Sequence, residues 1–224
     1  VAPVIFPLVA RRYDALNRLM SLGRDIRWRE KAAAALNPPA GGRVLDVGTG
    51  TGDMALAILR CWPGRTVVGI DLTVEMIRVG RAKPDAGRII WSLGDGLRLP
   101  FPDACFDGVT SAFLLRNVPD VTGVLAEQHR VVRPGGRVLS LEMTWPRTPG
   151  FRTLFHLYFA GLMPLVTGVL SGQPEAYRYL PRSVQRFMGP EELKAAMEQA
   201  GLQNVRYRLM AMGTVALHIG ERGH

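Results

Sequence analysis

Between residues 43 and 143 the chain alternates short apolar runs with helix-like segments, and this alternation restricts its fold more than any other feature. RVLDVG (43–48), TVVGID (66–71), IIWSLGD (89–95), residues 106–113 and GRVLSLEM (136–143) read as five strands. The first is mostly apolar and β-branched, as a strand buried on both faces must be. Residues 53–62, 73–82 and 121–132 read as intervening helices, with Thr73 placed to cap the second and Pro134-Gly135-Gly136 ending the third. This spacing predicts an α/β fold with a mostly parallel, doubly wound, Rossmann-like sheet. Residues 205–211 and 214–219, joined through Gly213, predict a closing antiparallel β-hairpin. A helix over 190–200 precedes it, with proline in its first turn and Gly201 as its stop. Residues 12–36 read as one or two helices, and 151–170 as a helix broken at Pro164.

Asp46-Val47-Gly48-Thr49-Gly50-Thr51-Gly52-Asp53 lies between the first strand and the first helix. Glycines there let the backbone turn tightly and approach a ligand beneath a helix N-terminus. Asp71, ending the second strand, is placed to accept both hydroxyls of a ribose, with Leu72 beside it. No Gly-Lys pair exists for a phosphate-cradling loop, and a dinucleotide fingerprint needs its third glycine one residue beyond Gly52. Carboxylates around the loop repel pyrophosphate and suit a cation bearing an ammonium or a sulfonium. S-adenosyl-L-methionine has both, plus the ribose. The D-x-G-x-G pattern with an acid ending strand two resembles the class I methyltransferase signature. Asp46, Gly48, Thr49, Gly50, Thr51, Gly52, Asp71 and Leu72 are therefore candidate cofactor-binding residues. Asp95-Gly96 (adenine side) and Ala112 (through its backbone) complete the set.

Charge narrows the class further. The 224 residues hold 28 Lys+Arg against 19 Asp+Glu, a formal net charge of +9. The excess sits in residues 1–36 and 144–224, whereas the middle is close to neutral. The arginines come singly or in twos rather than as a stripe among aromatics, which disfavours a nucleic-acid partner. Acceptor-base signatures of the NPPY type are absent, since Asn37-Pro38-Pro39-Ala40 precedes the first strand. Two cysteines, Cys61 and Cys105, give neither a disulfide framework nor a metal spacing, so no metal is expected. With no signal peptide and no span of ~20 clean apolar residues, a cytoplasmic address is expected.

A longer series of motifs adds a resemblance. Tyr13-Asp14-x-x-Asn17-x-x-Met20-Ser21, Leu115-Arg116-Asn117-Val118, Arg133-Pro134-Gly135-Gly136, Tyr177-Arg178-Tyr179-Leu180 and Ala216-Leu217-His218-x-Gly220 occur in this order. Together they resemble the ubiquinone/menaquinone biosynthesis C-methyltransferases (UbiE/MenG type) over nearly the whole length. Departures fall at GTGTGD in the loop, at Leu114 and at Met143-Thr144-Trp145, and they bear on pocket shape more than on the cofactor. The resemblance implies a single domain, 1–224, with a helical cap (1–36), a cofactor-binding core (37–147) and a substrate-side insertion with the C-terminal hairpin (148–224). It implies transfer of a sulfonium methyl to a ring carbon of a prenylated hydroquinone, demethylmenaquinol first. A ubiquinone precursor, another lipid or phenolic acceptor, and a non-catalytic cofactor-binding protein stand as alternatives. Arg116, Asn117, Tyr177 and His218 are the expected catalytic residues, with Arg116 stabilising a phenolate rather than acting as base, because an arginine side chain does not normally give up its proton. Glu142 ends strand five nearby, where it either joins the site or pairs an arginine. The basic flanks and the apolar 151–170 segment suggest peripheral contact with an anionic membrane at its inner face, and a homodimer is left open.

Overall fold

The computed structural model describes residues 2–163, 166 and 181–224. Seven strands form one sheet: β1 (Arg43–Val47), β2 (Thr66–Asp71), β3 (Ile89–Leu93), β4 (Phe106–Ala112), β5 (Val132–Met143), β6 (Leu202–Met210) and β7 (Val215–Arg222). Their spatial order is β3-β2-β1-β4-β5-β7-β6. All neighbours are parallel except β7, which runs antiparallel to both β5 and β6. The order reverses between β1 and β4, and doubly wound sheets bind ligands beyond the carboxyl ends of the strands at such a switch.

Successive residues of β1 feed two separate cores, as the period-two alternation of a strand requires. Leu45 and Val47 pack with Val109, Val124 of α5 (Val121–Val131), and Leu193 and Met197 of α7 (Pro190–Gln199). Val44 packs with Leu36 of α2 (Arg24–Leu36), Ile58 of α3 (Asp53–Cys61), Leu139 and Val215 on the other face. Covered on both sides, the sheet needs the near-continuous apolar strands that the sequence supplies.

Several boundaries differ from the sequence reading. The first helix, α1 (Ala2–Ser21), begins ten residues earlier than the apolar periodicity suggests and continues through Pro7. Pro7 lies close enough to the helix start that little of the hydrogen-bond ladder is lost. The α5 helix stops at Val131, and Pro134-Gly135-Gly136 lies within the entry of β5, where the pairing with β4 shifts register between Phe106 and Gly108. Thr73 does stand at the N-cap of α4 (Val74–Arg81), but it makes no side-chain bond to that helix. Its hydroxyl bonds Asp71 instead.

In the tail, α6 (Pro149–His156) passes into a π-helical segment at Leu157–Leu162, a widening of the kind found near functional sites. The break expected at Pro164 lies outside the described residues, as does Tyr177. Among the described residues no helix is long and apolar enough to cross a membrane.

Candidate functional site

The glycine loop leaves β1 at the switch point. Gly48, Gly50 and Gly52 all hold positive φ, at 65°, 57° and 82°. At Gly48 a Cβ would lie 2.5 Å from a methyl of Leu114, whereas at Gly50 it would meet nothing within 4 Å. The loop is thus pressed against β4's exit at one glycine and bare toward the cleft at the next. Asp71 pins that bare glycine: its Oδ2 accepts the Gly50 N–H at 2.7 Å, and its Oδ1 accepts the Thr73 N–H at 2.8 Å. Burial raises the Asp71 carboxyl, and these donors oppose the rise. The Thr73 hydroxyl and the Leu72 N–H also donate to this carboxylate, so a ligand hydroxyl would share or displace one of these local donors.

The cleft beyond the loop has a volume of about 320 Å³. Gly48, Gly50, Asp71, Leu72, Asp95, Gly96 and Ala112 line it, as does Asn117. Asp71 and Asp95 are its only charged lining residues among those described, so nothing there neutralises a phosphate. Two carboxylates, open backbone at Gly50 and no lysine or arginine fit a cationic nucleoside such as S-adenosylmethionine. Asp95 Oδ1 accepts the Leu97 N–H at 2.9 Å, which fixes the turn and leaves its other oxygen toward the cleft.

The remaining loop residues face elsewhere. Asp46 is fully buried; its Oδ2 accepts the Thr49 hydroxyl at 2.7 Å and its Oδ1 the Thr110 hydroxyl at 2.8 Å. Burial outweighs these bonds and the nearby Arg29 and pushes Asp46 up to about 6. A small cavity of about 30 Å³ separates it from Tyr13, Arg29 and Ala112. Thr51 gives its hydroxyl to Asp14 Oδ1 at 2.6 Å, and Gly52 packs under Trp91. Thr49, Thr51 and Gly52 therefore shape the loop from behind rather than line the cleft.

A second cavity of about 380 Å³ adjoins the first, mostly apolar, under α1, α2 and α6. Tyr13 and Phe113 line both and form the partition between them. Phe113 holds φ 60°, a left-handed conformation rare for an aromatic residue, and it lies between two guanidiniums. The Arg29 carbon is 5.1 Å and the Arg116 carbon 5.7 Å from the ring centre.

The single 3₁₀ turn Leu115–Asn117 distributes two expected residues to different sides. Arg116 enters the apolar cavity, and Asn117 the cofactor cleft, where its amide donates to the Phe113 carbonyl at 3.0 Å. Arg116 is buried and donates from Nη1 to Glu142 Oε2 at 2.9 Å. Its Nε has no hydrogen-bond partner among the described residues. Glu142 Oε1 accepts the Leu115 N–H at 2.6 Å, so this carboxylate holds both the turn and the guanidinium. Burial raises its pKa and Arg116 opposes the rise. Glu142 is thus an arginine's partner, one of the two roles open to it on sequence.

His218 requires a correction. It is buried in β7 under α7, with Nε2 2.9 Å from the Pro190 carbonyl, and it lines neither of these cavities. Desolvation lowers its pKa, and the Pro190 carbonyl opposes that shift. Tyr13, a candidate on the first helix, lines both cavities, whereas Arg29 and Phe113 enter the site without having been singled out as site residues. Trp28-Arg29 carried no spacing signal, and no sequence pattern announces a phenylalanine at positive φ.

Comparison with known proteins agrees with this geometry. The model of the ubiE/COQ5 methyltransferase family matches residues 2–222. A demethylmenaquinone methyltransferase of Thermus thermophilus is 44% identical over 220 residues, covering 97% of this chain and 100% of that protein. A ubiquinone/menaquinone biosynthesis C-methyltransferase UbiE of Geobacter sulfurreducens is 43% identical, covering 98% and 87%. Among solved structures, a SAM-dependent methyltransferase of Thermotoga maritima superposes with TM-score 0.71 at 18% identity, covering 99% of this chain and 100% of that one. That last likeness is one of fold.

Proposed function

The chain belongs to the ubiE/COQ5 methyltransferase family, and on that premise we propose that it methylates a ring carbon of demethylmenaquinol, using S-adenosylmethionine. It is a class I, SAM-dependent C-methyltransferase of quinone biosynthesis. The observation that supports the substrate reading is the pair of adjoining cavities, one acidic and one apolar, with Tyr13 and Phe113 lining both. S-adenosylmethionine supplies an electrophilic methyl on a sulfonium when bound. In our reading Asp71 and Asp95 receive its hydroxyls and base, while the bare Gly50 backbone allows close approach.

The apolar cavity holds the acceptor ring and excludes water from it. A hydroquinone carbon becomes a strong nucleophile when the neighbouring hydroxyl gives its proton to solvent on entering the site. After that carbon takes up the methyl, leaving the donor as the thioether, its own proton leaves to solvent and aromaticity returns. Arg116 meets the resulting phenolate: its Nε has no partner among the described residues, and Glu142 fixes its direction. In a dry site such a donor is worth far more than in water. Asn117, on the cofactor side of the same turn, lines the path between donor and acceptor. Positioning of carbon and methyl by the partition supplies the rest of the acceleration, up to ~7–11 kcal/mol in favourable intramolecular cases.

The wider reading assigns residues 1–36 to a cap, 37–147 to the cofactor core, and 148–224 to the substrate side and the closing hairpin. It places the protein in the cytoplasm, at the inner face of the membrane that holds the quinol. The cap position of α1 and α2 over the apolar cavity supports the first part, and the basic flanks the second.

The test is a labelled-methyl assay against demethylmenaquinol and a demethylated ubiquinol precursor. Transfer to the first is expected, and transfer to neither overturns the proposal. Arg116→Ala leaves Glu142 buried and unpaired, which endangers folding. Arg116→Met combined with Glu142→Gln avoids this. Turnover should fall about 10²–10³-fold with cofactor affinity retained, and undiminished turnover removes Arg116 from the mechanism.

A further inference from the structure

Two turns at the mouth of the apolar cavity carry large apolar side chains where the backbone favours glycine or asparagine. Leu22, between α1 and α2, has φ 52°, and Met212, between β6 and β7, has φ 55°. The residue after each is a glycine, also at positive φ. A bulky residue held there costs of order 1–3 kcal/mol, and burial does not offset it, because Leu22 is 71% and Met212 68% exposed. Both nevertheless line the same cavity as Leu154 of α6, itself 63% exposed. Three segments distant in sequence thus bring exposed apolar side chains to one opening. Apolar groups rimmed by polar ones in this way mark a docking surface.

The charges beside that opening are of one sign. Arg24 lines the mouth and Arg27 is exposed one turn along α2, while Arg152, exposed on α6, lines the neighbouring cavity with Thr153 and His156. None of the three side chains has an ion-pair partner among the described residues, and Asp25 between them is buried on Arg18 and Arg29. Unpaired cations around an exposed apolar tip are the pattern of an element lying in a bilayer interface. A second consideration is volume. At about 380 Å³ the cavity is at the small end of the ~300–1,000 Å³ that hold drug-sized ligands. It accepts a ring and the start of a prenyl tail, and the rest of a long tail must lie in an apolar medium outside.

We propose that this rim docks on a bilayer bearing anionic headgroups. Leu22, Leu154 and Met212 enter the acyl boundary, Arg24, Arg27 and Arg152 meet the headgroups, and the cavity opens into the membrane. The inference rests on the prenylated-quinol reading above, and it adds the residues and the orientation by which the substrate is drawn from the bilayer.

The experiment is co-sedimentation of the full chain with phosphatidylcholine vesicles and with vesicles containing phosphatidylglycerol. The variant is Leu22→Asn combined with Met212→Asn. Asparagine tolerates a left-handed backbone better than leucine or methionine, so the variant should melt no lower than wild type. Wild type should bind the anionic vesicles more tightly than the neutral ones. The variant should lose at least about ten-fold in vesicle partition, as removal of two apolar anchors implies. Equal partition of the two proteins overturns the proposal, as does wild type that sediments with neither vesicle. A wild-type dimer that the variant converts to monomer, with vesicle binding unaltered, assigns the rim to a second copy and overturns it as well. Because no step requires turnover, failure here is distinct from failure of the methyl-transfer assay.

Discussion

Asp46, pushed up to about 6 by burial against an ordinary value of 3.8, ties stability and ligand affinity to pH at one atom pair. Between those two values the folded chain retains a proton that the unfolded chain has released. The group's contribution to stability is therefore full below pH ~4 and falls as pH rises to ~6. Above that, the ionised carboxylate costs roughly 3 kcal/mol. Asp46→Asn should flatten this slope and raise the denaturation midpoint at pH 7.5, as measured in urea at several pH values. A cation in the neighbouring cleft favours the ionised form, so cofactor affinity should strengthen from pH 5 to pH 7 in wild type and stay level in Asp46→Asn. Titration calorimetry at the two pH values decides it, and parallel profiles remove Asp46 from the coupling. The position of the glycine loop and Asp71 at one cleft was legible because strand, loop and helix are contiguous in the chain. Phe113 and Arg29 were not: their roles arise from packing between segments far apart in the chain. Asp46 was legible as an acid at the loop, but its enclosure by Thr49 and Thr110 belongs to tertiary structure.

At the scale of elements, a relay of charges fastens α1 across the loop. Lys83, just after α4, pairs Asp14 at 2.6 Å and Asp53 at 2.7 Å. Asp53 pairs Arg18 at 2.7 Å, and Arg18 shares Asp25 with Arg29 of α2. The relay spans α1, α2, α3 and the end of α4, so the cap is held by partly buried ions rather than by apolar burial alone. Lys83→Met removes three charge-assisted bonds, to Asp14, Asp53 and the Thr51 hydroxyl, worth about 1.5–3 kcal/mol each, discounted for partial exposure. Hydrogen exchange should then quicken in residues 2–21 while β1 and β2 keep their protection, and cofactor should dissociate faster. Unaltered exchange in α1 shows that the relay does not hold it. Sequence indicated helices here, and it misjudged where α1 begins, because Pro3 and Pro7 disguise helical periodicity near a helix start. The strands fared better: an apolar run between glycine and proline marks has little freedom in length. The π-helical segment after α6 has no signal in a single sequence, since its apolar residues fit an ordinary helix equally well.

For the whole molecule, the split of charge has a structural counterpart. The near-neutral middle forms the cofactor side of the sheet, and both basic flanks converge on the apolar cavity, the first as α1 and α2, the second as α6 and the β6–β7 turn. Because the cofactor cleft is built by β1, β2 and β4 together, its occupancy should stabilise the domain as a unit. At a hundredfold excess over Kd, S-adenosylmethionine adds about 2.7 kcal/mol. For a domain of this size that raises Tm by roughly 5–10 °C in a calorimetric scan, and an unshifted transition argues against the cleft as the binding site. One feature of the sheet reaches beyond the finished protein. β7 fills the place between β5 and β6, yet it is the last of the described strands to be synthesised. Until it leaves the ribosome, β5 is an open edge, exposing the strand that carries Glu142, and such edges pair with whatever strand they meet. The cofactor half can close early in translation, whereas the buried pair of Arg116 and Glu142 must wait for β7. Birth order thus separates the two halves of the fold in time: a nascent chain completes the strands around the cofactor cleft before it can close the edge that carries Glu142.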